Sequence, residues 1–226
     1  MERITGLSKL ELLWPEGFLD PPRPLMPLPF HLSSLSIWLE SKPSPTFLKA
    51  LFTCSKDTLV TLHFRSGHPD INLEAQEWLA PVLPFVSGRI RHLILEQSNE
   101  DAWRLLPDGL GSFTAVETLH LGVVGCVYSD WYLTEPHFIA TIATLPPSVK
   151  LRRLSLGIRK PVHLGNVIPY LTHAKLANLK QVDMPLELKT DRGGEEFMKV
   201  CEHRNVKVAM RMDLGLAETP LLTLGW

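Results

Sequence analysis

The chain is poor in cysteine. Cys54, Cys126 and Cys201 are far apart and odd in number, and no C-x-x-C pair exists. That excludes the disulfide framework of small secreted domains and fits free thiols in a reducing compartment. No apolar run approaches the roughly 20 residues needed to span a bilayer. The first residues, MERITGLSKLELLW, lack a charged-then-apolar leader pattern. No charge of one sign dominates: 23 Lys/Arg stand against 24 Asp/Glu, which argues against nucleic acid as a partner. Neither Gly-rich phosphate pattern, G-x-x-x-x-G-K-[ST] or G-x-G-x-x-G, is present, nor an H-E-x-x-H or paired-cysteine metal signature. These absences lead us to expect a cytoplasmic or nuclear protein that uses no cofactor, metal, membrane or nucleic acid. The small net charge hides a split. Residues 1–149 carry 10 Lys/Arg against 16 Asp/Glu, and residues 150–226 carry 13 against 8. This reads either as a solvated surface or as a basic docking surface in the C-terminal part.

What the chain does have is one phrase written many times. Leu151-Arg-Arg-Leu154-Ser-Leu156 has the spacing apolar-x-x-apolar-x-apolar. Val116-Glu-Thr-Leu119-His-Leu121, Ile90-Arg-His-Leu93-Ile-Leu95 and Leu59-Val-Thr-Leu62-His-Phe64 share it. The phrases start at Leu7, Leu32, Leu59, Ile90, Val116, Leu151 and Leu179, with gaps of 25, 27, 31, 26, 35 and 28 residues. A weaker eighth strand, Val206-Lys-Val208-Ala-Met210-Arg-Met212, follows 27 residues later. In a strand, the apolar residues of L-x-L point to one face and the middle residue to the other. The middle residues are Glu11, Ser36, His63, Ile94, His120, Ser155 and Asp183, of which six of seven are polar. One sheet face is therefore polar, whereas an open sheet with helices on both sides would have strands apolar throughout.

The intervening segments read as helices that return the chain for the next parallel strand. They are Ser44–Cys54, Leu73–Val86, Glu100–Leu106, Pro136–Leu145, Val167–His173 and Glu195–His203. Pro81 and Pro84 should kink or end the second. Two stretches break the rhythm. Pro15–Pro29 holds six prolines and should run extended. Gly122–Thr134 lengthens the fifth unit and should be an enlarged loop just after a strand.

One unit cannot bury its own apolar face, but stacked units share a continuous core, and helices wider than strands bend the stack. The expected fold is α/β: one solenoid domain over residues 1–226 with seven to eight repeats. A curved parallel β-sheet would line the concave side, with helices and loops on the convex side. In these phrases the chain resembles the leucine-rich-repeat family, in its helix-containing, ribonuclease-inhibitor-like branch. Its irregular gaps are similar to the repeat region of F-box/LRR proteins, a group with many fungal members, over about residues 7–212. The resemblance implies substrate recognition for a ubiquitin ligase. The Asn or Cys that the family often carries eight residues after the first Leu is replaced by Pro15, Glu40, Gly67, Ser98, Val124, Arg159 and Glu187. No F-box-like segment precedes the first phrase. That phrase has no capping segment either, so Leu7–Leu12 should form an exposed sheet edge.

A repeat fold does not settle function. His63, His92 and His120 fall on the expected concave face in successive strands. Strands about 4.8 Å apart put His63 and His120 roughly 10 Å from each other, too far to share a tetrahedral ion bound at about 2 Å. They read as polar residues of a binding face. Cys126, His120 and Asp130 include the parts of a nucleophile set, without an oxyanion motif. Gly122-Val-Val-Gly125 follows a strand but opens no helix. Cys54, Cys201, Trp78 and Trp103 fall on helix faces and read as core. The stronger signal is a contact surface. Trp38, Arg65 and Glu96 lie on one side of the middle column, and Lys9, His92 and Arg153 on the other. Tyr128, Trp131 and Tyr132 cluster in the long loop. Trp, Tyr and Arg are favoured interface anchors. The expected function is a non-catalytic scaffold that holds another protein through Trp38, His63, Arg65, His92, Glu96, His120, Tyr128, Trp131, Tyr132 and Arg153, with ubiquitin-ligase components as candidate partners. The alternative is an α/β enzyme with a site near the loop after the fifth strand.

Overall fold

Each apolar-x-apolar triplet becomes the middle of a strand. The computed structural model describes residues 7–14, 31–39, 45–66, 79–97, 110–123, 142–157, 164–185 and 193–211. Within them lie β1 (Lys9–Trp14), β2 (Ser34–Leu39), β3 (Thr61–Ser66), β4 (His92–Gln97), β5 (Thr118–Val123), β6 (Arg153–Gly157), β7 (Gln181–Pro185) and β8 (Lys207–Arg211). They form one eight-stranded sheet in strictly sequential order, β1 to β8, and every neighbouring pair is parallel. Such an order contains no reversal, so it lacks the switch-point crevice where doubly wound sheets bind ligands.

Register follows the phrase. Leu35, Leu62, Leu93, Leu119, Leu154 and Val182 are successive cross-strand partners, and all six are fully buried. A slip of one residue would turn this whole set to the polar side. The repetition extends to the backbone. One carbonyl just ahead of a strand accepts N–H groups from two consecutive residues of the next unit. Ser8 O takes those of Ser33 and Ser34, and Ser33 O those of Val60 and Thr61. Val60 O does the same for Arg91 and His92, and Arg91 O for Glu117 and Thr118. Glu117 O takes Arg152 and Arg153, and Arg152 O takes Lys180 and Gln181. The last junction differs. Lys207 pairs with Gln181, so Asn205 stands where Leu179 stands ahead of β7. Its φ is 55°, a conformation that Asn tolerates better than a branched apolar residue.

Helices α1 (Pro45–Ser55), α2 (Leu164–Leu171) and α3 (Gly194–His203) supply the second layer. Their Leu48, Leu51, Phe52, Leu164, Leu171, Phe197 and Cys201 join the same buried cluster as the apolar strand residues. α1 matches the expected helix to within a residue. α2 starts at Leu164, three residues earlier than expected, and contains Pro169. Pro81 and Pro84 lie in a turn and in a 3₁₀ segment, Leu83–Phe85, because proline lacks the N–H that would continue an α-helix. Residues 142–144 are helical, with Ile142 and Leu145 buried.

One boundary is corrected. β5 runs through Val123, so Gly122 is a strand residue paired with Glu96 and Gly157 and does not open a loop. β1 ends the sheet. Its Leu10 and Leu12 are only partly buried, whereas Leu35 and Ile37 of β2 are enclosed, and Leu13 is 56% exposed. The proline-rich run, Trp78, Trp103, Cys126, Asp130, Tyr128, Trp131 and Tyr132 lie outside the described residues.

Candidate functional site: a polar chain across the sheet

The middle positions of consecutive strands stand in register: Ser36 beside His63, His63 beside Ile94, Ile94 beside His120, His120 beside Ser155, and Ser155 beside Asp183. Ile94 interrupts this polar column because its side chain has nothing to bond. The gap is bridged by Glu96, two residues along β4 and on the same face. His63 Nε2 donates to Glu96 Oε2 at 2.9 Å, and Glu96 Oε1 lies 3.8 Å from His120 Nε2. The outer nitrogens face serines. Ser36 Oγ is 3.2 Å from His63 Nδ1, and Ser155 Oγ is 2.8 Å from His120 Nδ1. Ser36, His63, Glu96, His120 and Ser155 thus form one chain over five strands, symmetric in residue type about the carboxylate.

Burial makes these contacts matter. Glu96, His120 and Ser155 are buried, as is Asp183. A buried polar group is costly unless it is bonded, and a buried charge more so. Glu96 reaches the middle column because β5 has a glycine beside it. A Cβ on Gly122 would lie 2.6 Å from His120 Nε2 and 3.3 Å from Glu96 Cγ. The imidazole and the carboxylate stem therefore rest over Gly122, and the position requires glycine for space.

A second cluster adjoins the first. Arg153 Nε donates to Asp183 Oδ2 at 2.5 Å, and Gln181 Nε2 donates to Oδ1 at 2.7 Å. Two donors from the first column thus hold a carboxylate that has no solvent exposure. On the other side, the Arg65 guanidinium stacks 4.1 Å from the centre of the Trp38 ring, a cation–π arrangement. Trp38 Nε1 and Arg65 Nε are enclosed without a hydrogen-bond partner among the described residues. His92 stands exposed in the first column.

The residues picked out on the sheet therefore divide. Trp38, His63, Arg65, Glu96, His120 and Arg153 join two adjoining side-chain groupings and a stacked pair. His92 stays apart and faces solvent. Glu96 and His120 are nearly enclosed, so they support the surface from within, while Trp38, Arg65, His92 and Arg153 are the accessible ones. Neither the bridging of Glu96 nor the seat at Gly122 shows in the strand-by-strand pattern of the sequence. The available signal was the apolar Ile94 in a polar column, with a carboxylate two residues later and a glycine opposite it.

Serine, histidine and glutamate in series are the parts of an activated nucleophile. Here the strand amides around Ser36 and Ser155 belong to the paired sheet, which leaves them unavailable as paired donors for an oxyanion. Among the described residues, no group of three or more His, Cys, Asp or Glu side chains is placed to hold a metal ion. Nor is any described helix long and apolar enough to cross a membrane. Comparison with known protein families, curated proteins and solved structures finds no match for this chain.

Proposed function

We propose that the chain is a leucine-rich-repeat solenoid whose polar sheet face is concave and receives another protein, as a substrate-recognition element for a ubiquitin ligase does. The observation that carries this reading is the bonded polar face. Eight parallel strands present it in register, and its central side chains hold one another in place. A surface ordered before binding avoids the entropy of ordering side chains on contact. Trp38 with its stacked Arg65 supplies the anchor, a pair of residue types common among interface hot spots. His92 and Lys9 line the accessible first column. The helices on the apolar face, wider than the strands, support the curvature.

Cross-linked pull-downs with the full chain test this. A partner recovered by the wild type is released by Trp38→Ala/Arg65→Ala, and a ubiquitin-ligase scaffold is recovered with it. Unchanged recovery of every partner by the double variant refutes the polar face as the contact surface.

A further inference from the structure

We infer that the edge of the sheet where the chain runs into β6, β7 and β8 is a docking surface for an acidic segment of a partner protein. The inference deepens the protein-binding reading by naming the partner's chemistry, and it rests on Arg152 and Lys180, which lie just ahead of the strands that carry the polar face. The segments that lead into these strands are 145–152 (LPPSVKLR), 171–180 (LTHAKLANLK) and 203–207 (HRNVK). They carry Lys150, Arg152, Lys175, Lys180, Arg204 and Lys207, and no Asp or Glu. The equivalent segments ahead of β3, β4 and β5 are balanced: Lys56, Arg89 and Arg91 stand with Asp57 and Glu117. There Arg89 lies 3.7 Å from the Asp57 carboxylate and donates to its backbone carbonyl.

Hydrogen bonding places the cations side by side. Lys180 N–H donates to Arg152 O, so these two stand on neighbouring rungs about 4.8 Å apart, and Lys207, paired with Gln181, follows one residue further along β8. Some basic groups of the region are already engaged. Lys175 Nζ donates to the Ala143 carbonyl, Arg204 Nη2 to Leu176 O, and Arg153 to Asp183. Lys150, Arg152, Lys180 and Lys207 are exposed, and no carboxylate pairs with them among the described residues. Like charges crowded in this way repel one another, and an anion laid along them removes that cost.

The surroundings select the kind of anion. The three segments contain no Phe, Tyr or Trp, so they lack the large rings on which bases stack. The large exposed apolar side chains among the described residues, Leu13, Val60 and Phe85, lie elsewhere, so nothing here would insert into a lipid interface. An extended peptide spans the neighbouring rungs of Arg152 and Lys180 with about two residues, so carboxylates on it meet both cations.

The test is fluorescence anisotropy of fluorescein-labelled decaglutamate with the full chain across a series of salt concentrations. The peptide binds, the affinity falls as salt rises, and Arg152→Gln/Lys180→Gln weakens it about tenfold. Lys56→Gln on the balanced edge and Trp38→Ala on the polar face leave it unchanged. The exposed substitutions keep the wild-type thermal melt. Binding by Arg152→Gln/Lys180→Gln equal to that of the wild type overturns the assignment. So does a decathymidylate oligonucleotide that binds more tightly than decaglutamate and shows the same sensitivity to that double variant. The pull-down with Trp38→Ala/Arg65→Ala reads the polar face alone, so failure of one reading does not mimic failure of the other.

Discussion

Along β3, Leu62 and Phe64 point one way and His63 and Arg65 the other, so a single strand serves two interiors built on different rules. On the apolar face every strand contributes the same kind of group, and burial of each large side chain stabilises the fold by about 1.5–3 kcal/mol. That face tolerates exchange among similar shapes because the effect scales with area. On the polar face each member has a specific partner at a specific atom. A satisfied hydrogen bond there adds only about 1 kcal/mol net, but an orphaned partner costs more. The apolar face therefore supplies stability, and the polar face supplies a defined arrangement of atoms.

Truncation tests the difference most directly. Phe64→Ala empties a fully buried site and should lower the unfolding free energy in urea by about 3–5 kcal/mol. His63→Ala, its neighbour on the opposite face, leaves the buried Glu96 carboxylate short of a donor and should cost about 1–3 kcal/mol, and equal losses at the two positions would break the contrast. Next is Gly122→Ala, whose new methyl meets His120 and should cost about 1–3 kcal/mol. In a His120→Ala background the same change should cost under about 1 kcal/mol. Absence of that rescue would show that the imidazole does not rest on Gly122.

A double-mutant cycle of Glu96→Ala with His63→Ala should return a coupling of about 1 kcal/mol. Additive losses would mean that His63 and Glu96 do not act as a pair. The last test lies on the apolar side. Burial pushes the Cys201 thiol up from 9.0 to about 11, with Arg204 pulling weakly the other way. The fold therefore favours the neutral thiol. Below pH 9 both states are protonated and the native state keeps its full advantage. As pH rises through 9 toward 11 the unfolded chain ionises first, and that part of the stability is lost. At pH 8, alkylation of native Cys201 should be at least about 100-fold slower than in the urea-unfolded chain. Comparable rates would show that this position is open to solvent.

Much of the architecture was legible because it rests on periodicity. The L-x-L triplets marked the cores of β1 to β7, their parallel register and the residues of the apolar face. The helix at Pro45–Ser55 followed from its proline and its apolar spacing. The site was harder to read. His63 and His120 were placed correctly in one column, but a rule that takes each strand alone treats Glu96 as a neighbour of that column. A glutamate side chain is long enough to leave its own position, and whether it does depends on what flanks it. Arg153 read as an exposed contact, yet its guanidinium is tied to Asp183. Gly122 read as the start of a loop because glycine after a strand ordinarily signals one.

The sequence by itself determined which residues face the core, because alternation is a property of the extended backbone and needs no knowledge of neighbours. It also determined the charge split, since composition is additive. Only the tertiary structure decided that Ser36, His63 and Glu96 are joined by hydrogen bonds, as are His120 and Ser155, with Glu96 3.8 Å from His120 between the two groups. It likewise decided that Arg152 and Lys180 stand on neighbouring rungs at one edge, with no ion pair to a carboxylate among the described residues. Both depend on contacts between residues about 25 to 35 positions apart, whose alignment is set by packing of the apolar face beneath them.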